Sequence, residues 1–185
     1  MQELGITQPN TYLASAFPAS VRKDALAAIS IFPESPHMSR TFTVRIDGED
    51  ASIPQRIYHD PERVSTIELT PTQRELADCL LTRHCDGFVR QKMVSRIILS
   101  KSAWVPPFVV QLVGEYVVEI LDDIRKELKA LDVAQYESFL RANTEFLART
   151  EQRSISYWNC YYRHRYSREE YPGYQLMSWF RSLVK

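Results

Sequence analysis

Along most of this chain apolar positions recur every three or four residues, the period of a helix that buries one face. The strongest run lies between Pro106 and Leu131, where Val109, Leu112, Val113, Tyr116, Val117, Ile120, Leu121, Ile124, Leu128 and Leu131 fall on one stripe. The spacing predicts one long helix over 106–131, a central strut with Glu115, Glu119, Asp122, Asp123 and Lys126 on its opposite face. Val110 and Val118 widen the apolar side, so the first half reads as covered from two directions.

Shorter helices precede and follow it. Pro18 opens one through about Ile31, with Val21, Ala25, Leu26 and Ile29 inward. Thr70-Pro-Thr-Gln73 has the composition of a capping box with proline at the first helical position, starting a helix that carries Leu76, Cys79 and Leu80 inward and stops near His84. Asp86-Gly87 interrupts the chain, and Phe88–Leu99 follows with Val89, Met93, Ile97 and Ile98 inward. A further helix begins near Ala134, with Tyr136, Phe139, Leu140 and Leu147 inward, and continues or restarts through Tyr157, Trp158, Tyr161 and Tyr162. Ser167-Arg-Glu-Glu170 reads as a capping box for a short turn ending at Pro172-Gly173. Gln175–Val184 reads as a last short helix.

One stretch alternates with the period of a strand. Thr41–Ile46 followed by Asp47-Gly48 predicts a β-hairpin, with a return strand through Ser52, Ile53, Ile57 and Tyr58. Pro54 cannot donate to a ladder, so the return strand is an edge, and a lone hairpin must lean on helices. Phe32–Arg40, with His37, and the run from Asp60-Pro61 read as connectors. The expected fold is mainly α: an antiparallel helical bundle with one small N-terminal β-hairpin. It forms a single domain over 1–185, divided into an N-terminal helix and hairpin (11–60), a helical core (70–150) and an aromatic, basic C-terminal segment (151–185).

Composition fits that reading. Among 185 residues 44 % are hydrophobic, 25 % are charged and only five are glycine, values of a globular chain able to bury a core without disulfides or metals. Formal net charge is zero, from 23 basic and 23 acidic residues, which argues against wholesale capture of nucleic acid or anionic lipid. The balance is uneven, however. Glu115–Glu151 holds nine acids and five Lys/Arg, while Gln152–Lys185 holds six Lys/Arg and two acids. Either the two neutralise each other, or one of them faces a partner. Three cysteines, Cys79, Cys85 and Cys160, read as reduced thiols. Met1–Asn10 lacks the basic-then-apolar order of a secretion signal, and the apolar run Trp104–Gly114 is too short to span a bilayer. The expected localisation is cytoplasmic, with no membrane partner.

Asp86-Gly-Phe-Val-Arg90, ahead of an apolar helix, resembles the Asp-x-x-Val-Arg signature of HEAT-type helical repeats. The resemblance implies that Asp86 begins the second helix of a unit, that Arg90 ties neighbouring units together, and that Thr70–His84, Asp86–Leu99 and Pro106–Leu131 stack antiparallel. Pro54-Gln-Arg-Ile-Tyr-His-Asp60 and Trp104–Leu121 also resemble a group of bacterial proteins of unknown function, which implies no particular activity.

Candidate chemistry is sparse. There is no glycine-rich phosphate loop, nucleophile elbow, His-Glu-x-x-His or calcium loop. Cys79, His84 and Cys85 are the one cluster with metal-ligand types, and a fourth ligand would have to come from His59, Cys160 or a carboxylate. Cys79 falls on an apolar face, where cysteine acts as a small hydrophobe. Cys85 between His84 and Asp86 has the residue types of an activated nucleophile, or of a helix-connecting corner capped by Asp86. Glu115, in the most apolar part of the chain, reads first as a buried ion pair with Arg83, Arg90 or Arg96 and second as an acid catalyst.

The densest feature is the C-terminal segment, where Tyr157, Trp158, Tyr161, Tyr162, Tyr166, Tyr171, Tyr174, Trp179 and Phe180 interleave with Arg153, Arg163, His164, Arg165, Arg168 and Arg181. Such rings either close a core or form a binding surface. At helical spacing Trp158, Tyr161 and Tyr162 share a face, while Arg163 and Arg165 point elsewhere. The expected function is a non-enzymatic intracellular protein-binding or scaffold module, with Trp158, Tyr161, Tyr162, Arg163, Arg165 and Tyr166 contacting a protein partner or a second copy. Two alternatives stand beside it: nucleic-acid binding through the same residues, and a hydrolase-like enzyme built on His59-Asp60, His84-Cys85 or Glu115. No catalytic residue, metal ligand or cofactor is assigned.

Overall fold

The computed structural model describes residues 10–33, 39–58 and 68–185. The expectations placed on Met1–Pro9, His37, His59, Asp60 and the connector at Pro61 lie outside those residues. The architecture is mainly α with one two-stranded antiparallel sheet. A 3-10 turn (Thr11–Ala16) precedes α1 (Arg22–Ile29) and the hairpin β1 (Thr41–Ile46) and β2 (Glu49–Pro54). Then come α2 (Pro71–Leu81), α3 (Gly87–Ile97), α4 (Pro106–Val113), α5 (Val118–Glu127), α6 (Val133–Ala142), α7 (Thr144–Tyr157), a π-helical turn (Trp158–Tyr162) and α8 (Pro172–Leu183).

The predicted strut over 106–131 is two helices. α4 ends at Gly114, and α5 restarts only at Val118, after Val117 has taken an extended conformation. Two causes combine. Gly114 lacks the side chain that would hold a helical turn. The polar head of Glu115 cannot stay among apolar neighbours unless the backbone turns it towards cations. Every residue of α4 is buried, and it packs against α5, α6, α7 and α8. The core strut is thus two turns long.

Local sequence explains the other boundaries. Thr70 and Gln73 form the reciprocal capping box of α2, with Pro71 inside it. Asp86 caps α3 by accepting from the Phe88 amide at 2.8 Å. Helix α1 starts at Arg22, later than Pro18, and Leu26 lies outward at 45 % exposure. Its buried stripe is Ala25, Ala28 and Ile29, because the small alanines allow close approach of α1 to α2. Ser167 and Glu170 do form a reciprocal box, but Pro172 begins α8 rather than ending a turn.

The hairpin turn at Asp47-Gly48 has positive φ at both residues, 50° and 83°, the twist that suits a two-residue loop. The hairpin leans on the helical body through Asn143, the junction of α6 and α7. Asn143 Oδ1 accepts from the Arg45 amide at 2.7 Å and its Nδ2 donates to the Arg45 carbonyl at 2.8 Å. A side-chain amide thereby occupies the free edge of β1 as a neighbouring strand would. Phe42 stacks on Phe146 of α7, with ring centres 5.5 Å apart.

Candidate functional site

Two polar constructions stand out, one buried and one exposed, and they meet at the α4–α5 elbow.

The buried one is centred on Glu115. Its Oε1 accepts from Arg56 Nη1 and Arg83 Nη2, each at 2.7 Å, and its Oε2 lies 3.0 Å from Arg90 Nε. Glu115 and both Arg83 and Arg90 are sealed from solvent, at 5 %, 1 % and 1 % side-chain exposure. Backbone geometry delivers each arginine. The segment after the hairpin docks on the end of α2, where the Ile57 amide donates to the Arg83 carbonyl and the Cys85 amide donates to the Ile57 carbonyl, both at 2.9 Å. That bridge brings Arg56 over Glu115. Carbonyl oxygens take up further donors, Pro54 and Gln55 for Arg83 and, through Nη1, His84 and Cys85 for Arg90, while Arg90 Nη2 is buried with no hydrogen-bond partner among the described residues.

Burial pushes the Glu115 carboxyl up, but Arg83, Arg56 and Arg90 outweigh it and hold its pKa below the ordinary 4.5. Burial draws Arg83 down to about 10, against the pull of Glu115. Glu115 and Arg83 are therefore both charged at neutral pH. Glu115 has no proton to give, its Oε1 is held by two arginines and its Oε2 is paired in charge with Arg90 though it accepts no hydrogen bond among the described residues, so the geometry suits a structural lock better than acid–base chemistry. Of the partners read from sequence, Arg83 and Arg90 do meet Glu115, while Arg96 turns to Asp78 at 3.1 Å. Arg56 went unforeseen because its contact crosses from the hairpin to the elbow.

At the other candidate corner, the Asp86 amide donates to His84 Nδ1 at 3.0 Å, and Cys85 Sγ lies 4.0 Å from that nitrogen. His84 is buried. The Asp86 hydrogen bond occupies the nitrogen that a Cys85 thiol would need as its base. Burial pushes the Cys79 thiol well up, which removes its thiolate character. Among the described residues no three His, Cys, Asp or Glu side chains gather as a metal would require.

The exposed construction is the C-terminal segment, and it splits the six residues read from sequence into two sets. Trp158, Tyr162 and Tyr166 are half-buried and pack towards the core. Trp158 Nε1 donates to the Tyr166 carbonyl at 3.1 Å, and the Tyr162 hydroxyl donates to the Tyr116 carbonyl. Tyr162 stacks on the fully buried Tyr171 at 5.6 Å, and burial raises both hydroxyl pKa values. Tyr161, Arg163 and Arg165 point outward. The shared face expected for Trp158, Tyr161 and Tyr162 does not form. A π-helical turn, with the Arg163 amide donating to the Trp158 carbonyl five residues back, separates Tyr161 from the other two.

Tyr161 instead joins Tyr157 at 6.1 Å and Tyr116 at 6.4 Å, and Tyr116 lies 5.9 Å from Tyr157. Tyr161 and Tyr116 are 63 % and 50 % exposed. Tyr116 belongs to the elbow, so the buried lock and the exposed rings share one backbone turn. Tyr116 carries no signal of this in the sequence, where it reads as one more residue of an apolar stripe. Around the rings, Arg163 reaches only Asn159 among the described residues, at 3.4 Å, and the Arg165 guanidinium lies 5.2 Å above the Tyr166 ring. No family model, curated protein or solved structure matches this chain.

Proposed function

We propose that this chain is a non-enzymatic binding module that presents Tyr161, Tyr116 and Tyr157, flanked by Arg163 and Arg165, to a protein partner bearing an acidic segment. The observation that carries this reading is the exposure of a three-ring cluster whose base is fixed. Tyr116 sits one residue from the Glu115 lock and its carbonyl accepts from Tyr162. Exposed rings held in place lose little freedom on binding, and tyrosine and arginine dominate interface hot spots. Arg163 and Arg165 lack a carboxylate partner among the described residues, which favours an acidic surface opposite them. Two exposed thiols, Cys85 and Cys160, suit a reducing compartment and so an intracellular module.

The test is comparative capture from a native lysate, using wild type, Tyr161→Ala and the double variant Arg163→Glu/Arg165→Glu. One protein should be retained by wild type and lost by both variants, with melting temperatures unchanged. A nucleic acid in the eluate, released steeply by salt, would replace the reading with single-strand binding. Concentration-dependent sedimentation of the pure protein that the variants abolish would make the partner a second copy. Retention identical in all three proteins would remove the surface from consideration.

A further inference from the structure

A cleft of about 780 Å³ opens between the hairpin and α7, on the other side of α7 from α8. Phe42 and Phe146, stacked on each other, line one part of it, and Gln55, Gln111, Gln152 and Arg153 line another. Its volume falls in the range of small-molecule sites. At its inner end Arg153 is fixed with unusual care. Nη2 donates to Gln111 Oε1 at 2.7 Å, and Gln111 is itself buried on α4. The guanidinium lies against Gly114, where a Cβ would come within 3.0 Å of Nε and 3.1 Å of Nη2. Among the described residues Nε is buried without a hydrogen-bond partner, and the hydrogen bonds of this guanidinium all run from Nη2.

The charge at this spot is not balanced locally. The acid nearest in influence is Glu115, which already serves Arg56, Arg83 and Arg90. The one acid lining the cleft, Glu145, pairs with Arg149 at the exposed rim, at 3.3 Å. Arg153 is left as a clamped cation at the end of a polar cleft with an aromatic wall. A guanidinium so arranged is a receptor for an oxyanion, because charge-assisted hydrogen bonds to carboxylate or phosphate are its strongest contacts.

We infer that this cleft binds a small organic oxyanion with a flat apolar body, its charged end on Arg153 and its body against Phe42 and Phe146. The site is separate from the Tyr161 surface and stands or falls independently of it. The probes are benzoate and phenyl phosphate, with benzyl alcohol as the uncharged control, titrated into the full chain and followed by amide chemical shifts. Both anions should shift residues 41–43 and 152–156 in the millimolar range or tighter, and benzyl alcohol should bind at least about tenfold more weakly. The tighter of the two anions identifies the group that the site prefers.

Arg153→Gln should weaken the anions at least about tenfold. Because that change also removes a packed side chain, Gln152→Glu provides the second arm. It alters an exposed residue of the cleft wall, leaves the fold intact, and should weaken anion binding several-fold by like-charge repulsion. Equal binding of the three probes, shifts centred elsewhere, or affinity unchanged by Gln152→Glu would overturn the inference.

Discussion

The elbow and the C-terminal segment invert each other. At the elbow two arginines are among the most deeply buried side chains described: Arg83 and Arg90 head the fully enclosed residues by volume. In the C-terminal segment, large aromatic rings that could fill a core are held partly in solvent. Residue type alone would assign them the other way. The difference shows that burial here follows partners more than polarity. An arginine can be enclosed because one carboxylate and a set of carbonyl oxygens receive it. A tyrosine can stay outside because its neighbours, Tyr116 and Tyr157, already cover its flank.

The sharpest way to break this contrast is Glu115→Gln. The substitution preserves shape and removes the single negative charge that Arg56, Arg83 and Arg90 share. Leaving those cations enclosed without it should cost about 3–5 kcal/mol, a large part of the stability of an ordinary domain. Urea denaturation followed by circular dichroism measures it. A loss below about 1 kcal/mol would mean that the carbonyl acceptors alone sustain the arginines.

The second prediction tests whether the inner half of the aromatic segment is core. Gly173, in the first turn of α8, lies so close to α7 that a Cβ would approach Ser154 Oγ and Tyr171 Cε1 to 2.5 Å each. Gly173→Ala should therefore destabilise by about 1–3 kcal/mol through forced displacement, although alanine is the better helix former. Unchanged or raised stability would show that Tyr171 shifts freely, and that the stack of Tyr162 on it fixes nothing.

These two sites also mark where sequence reading succeeded and where it stopped. Periodicity located helices whose starts carry local chemistry, as at Thr70–Gln73 and Asp86, but it read through the break at Asn143, where one expected helix is α6 and α7, and it began α8 three residues late. The β-hairpin was legible because Asp47-Gly48 follows an alternating run. The break at Gly114–Val117 was hidden because Tyr116 and Val117 continue the apolar stripe in register, so the pattern reads through the bend. What bends it is long-range: arginines from β2's exit, from the turn after α2 and from α3 converge on Glu115. The presence of a buried ion pair was legible from Glu115 alone, and two of its partners, Arg83 and Arg90, stood among the three arginines offered for it. The π-helical turn had no visible signal, so the division of Tyr161 from Trp158 and Tyr162 could not be read. Nor could the Arg153 clamp, which needs Gly114, Gln111 and α7 to be neighbours.

Acid titration separates two buried carboxyls of opposite habit. Burial raises Asp78 from 3.8 to about 6, with Arg96 and Arg74 opposing. The folded state then holds this proton more tightly than the unfolded chain, so stability should rise as pH falls from about 7 towards 4. Glu115 runs the other way. Its folded pKa lies below 4.5, so its contribution is complete above that value and is lost as pH falls through the folded one. Because the Asp78 gain runs down to the unfolded value of 3.8 and the Glu115 loss begins only below 4.5, the melting temperature should pass through a maximum at about pH 4 and then drop. In Asp78→Asn the rise should vanish and the acid drop should remain. A rise that persists in this variant would assign it to another group.

The smallest stability effect carries the functional weight. Tyr161 is 63 % exposed, and it packs against the rings of Tyr116 and Tyr157. Tyr161→Ala removes surface from a cluster that is already half in water, so stability should move by no more than about 0.5 kcal/mol. Tyr162, its neighbour in sequence, packs on Tyr171 and donates to the elbow, so Tyr162→Ala should cost clearly more by the same urea measurement. If the two variants lose equal stability, Tyr161 is part of the core's closure and a partner has no ready ring to meet. If they differ as expected, adjacent tyrosines have been divided by one extra residue in a helical turn, one to hold the elbow and one to face outward.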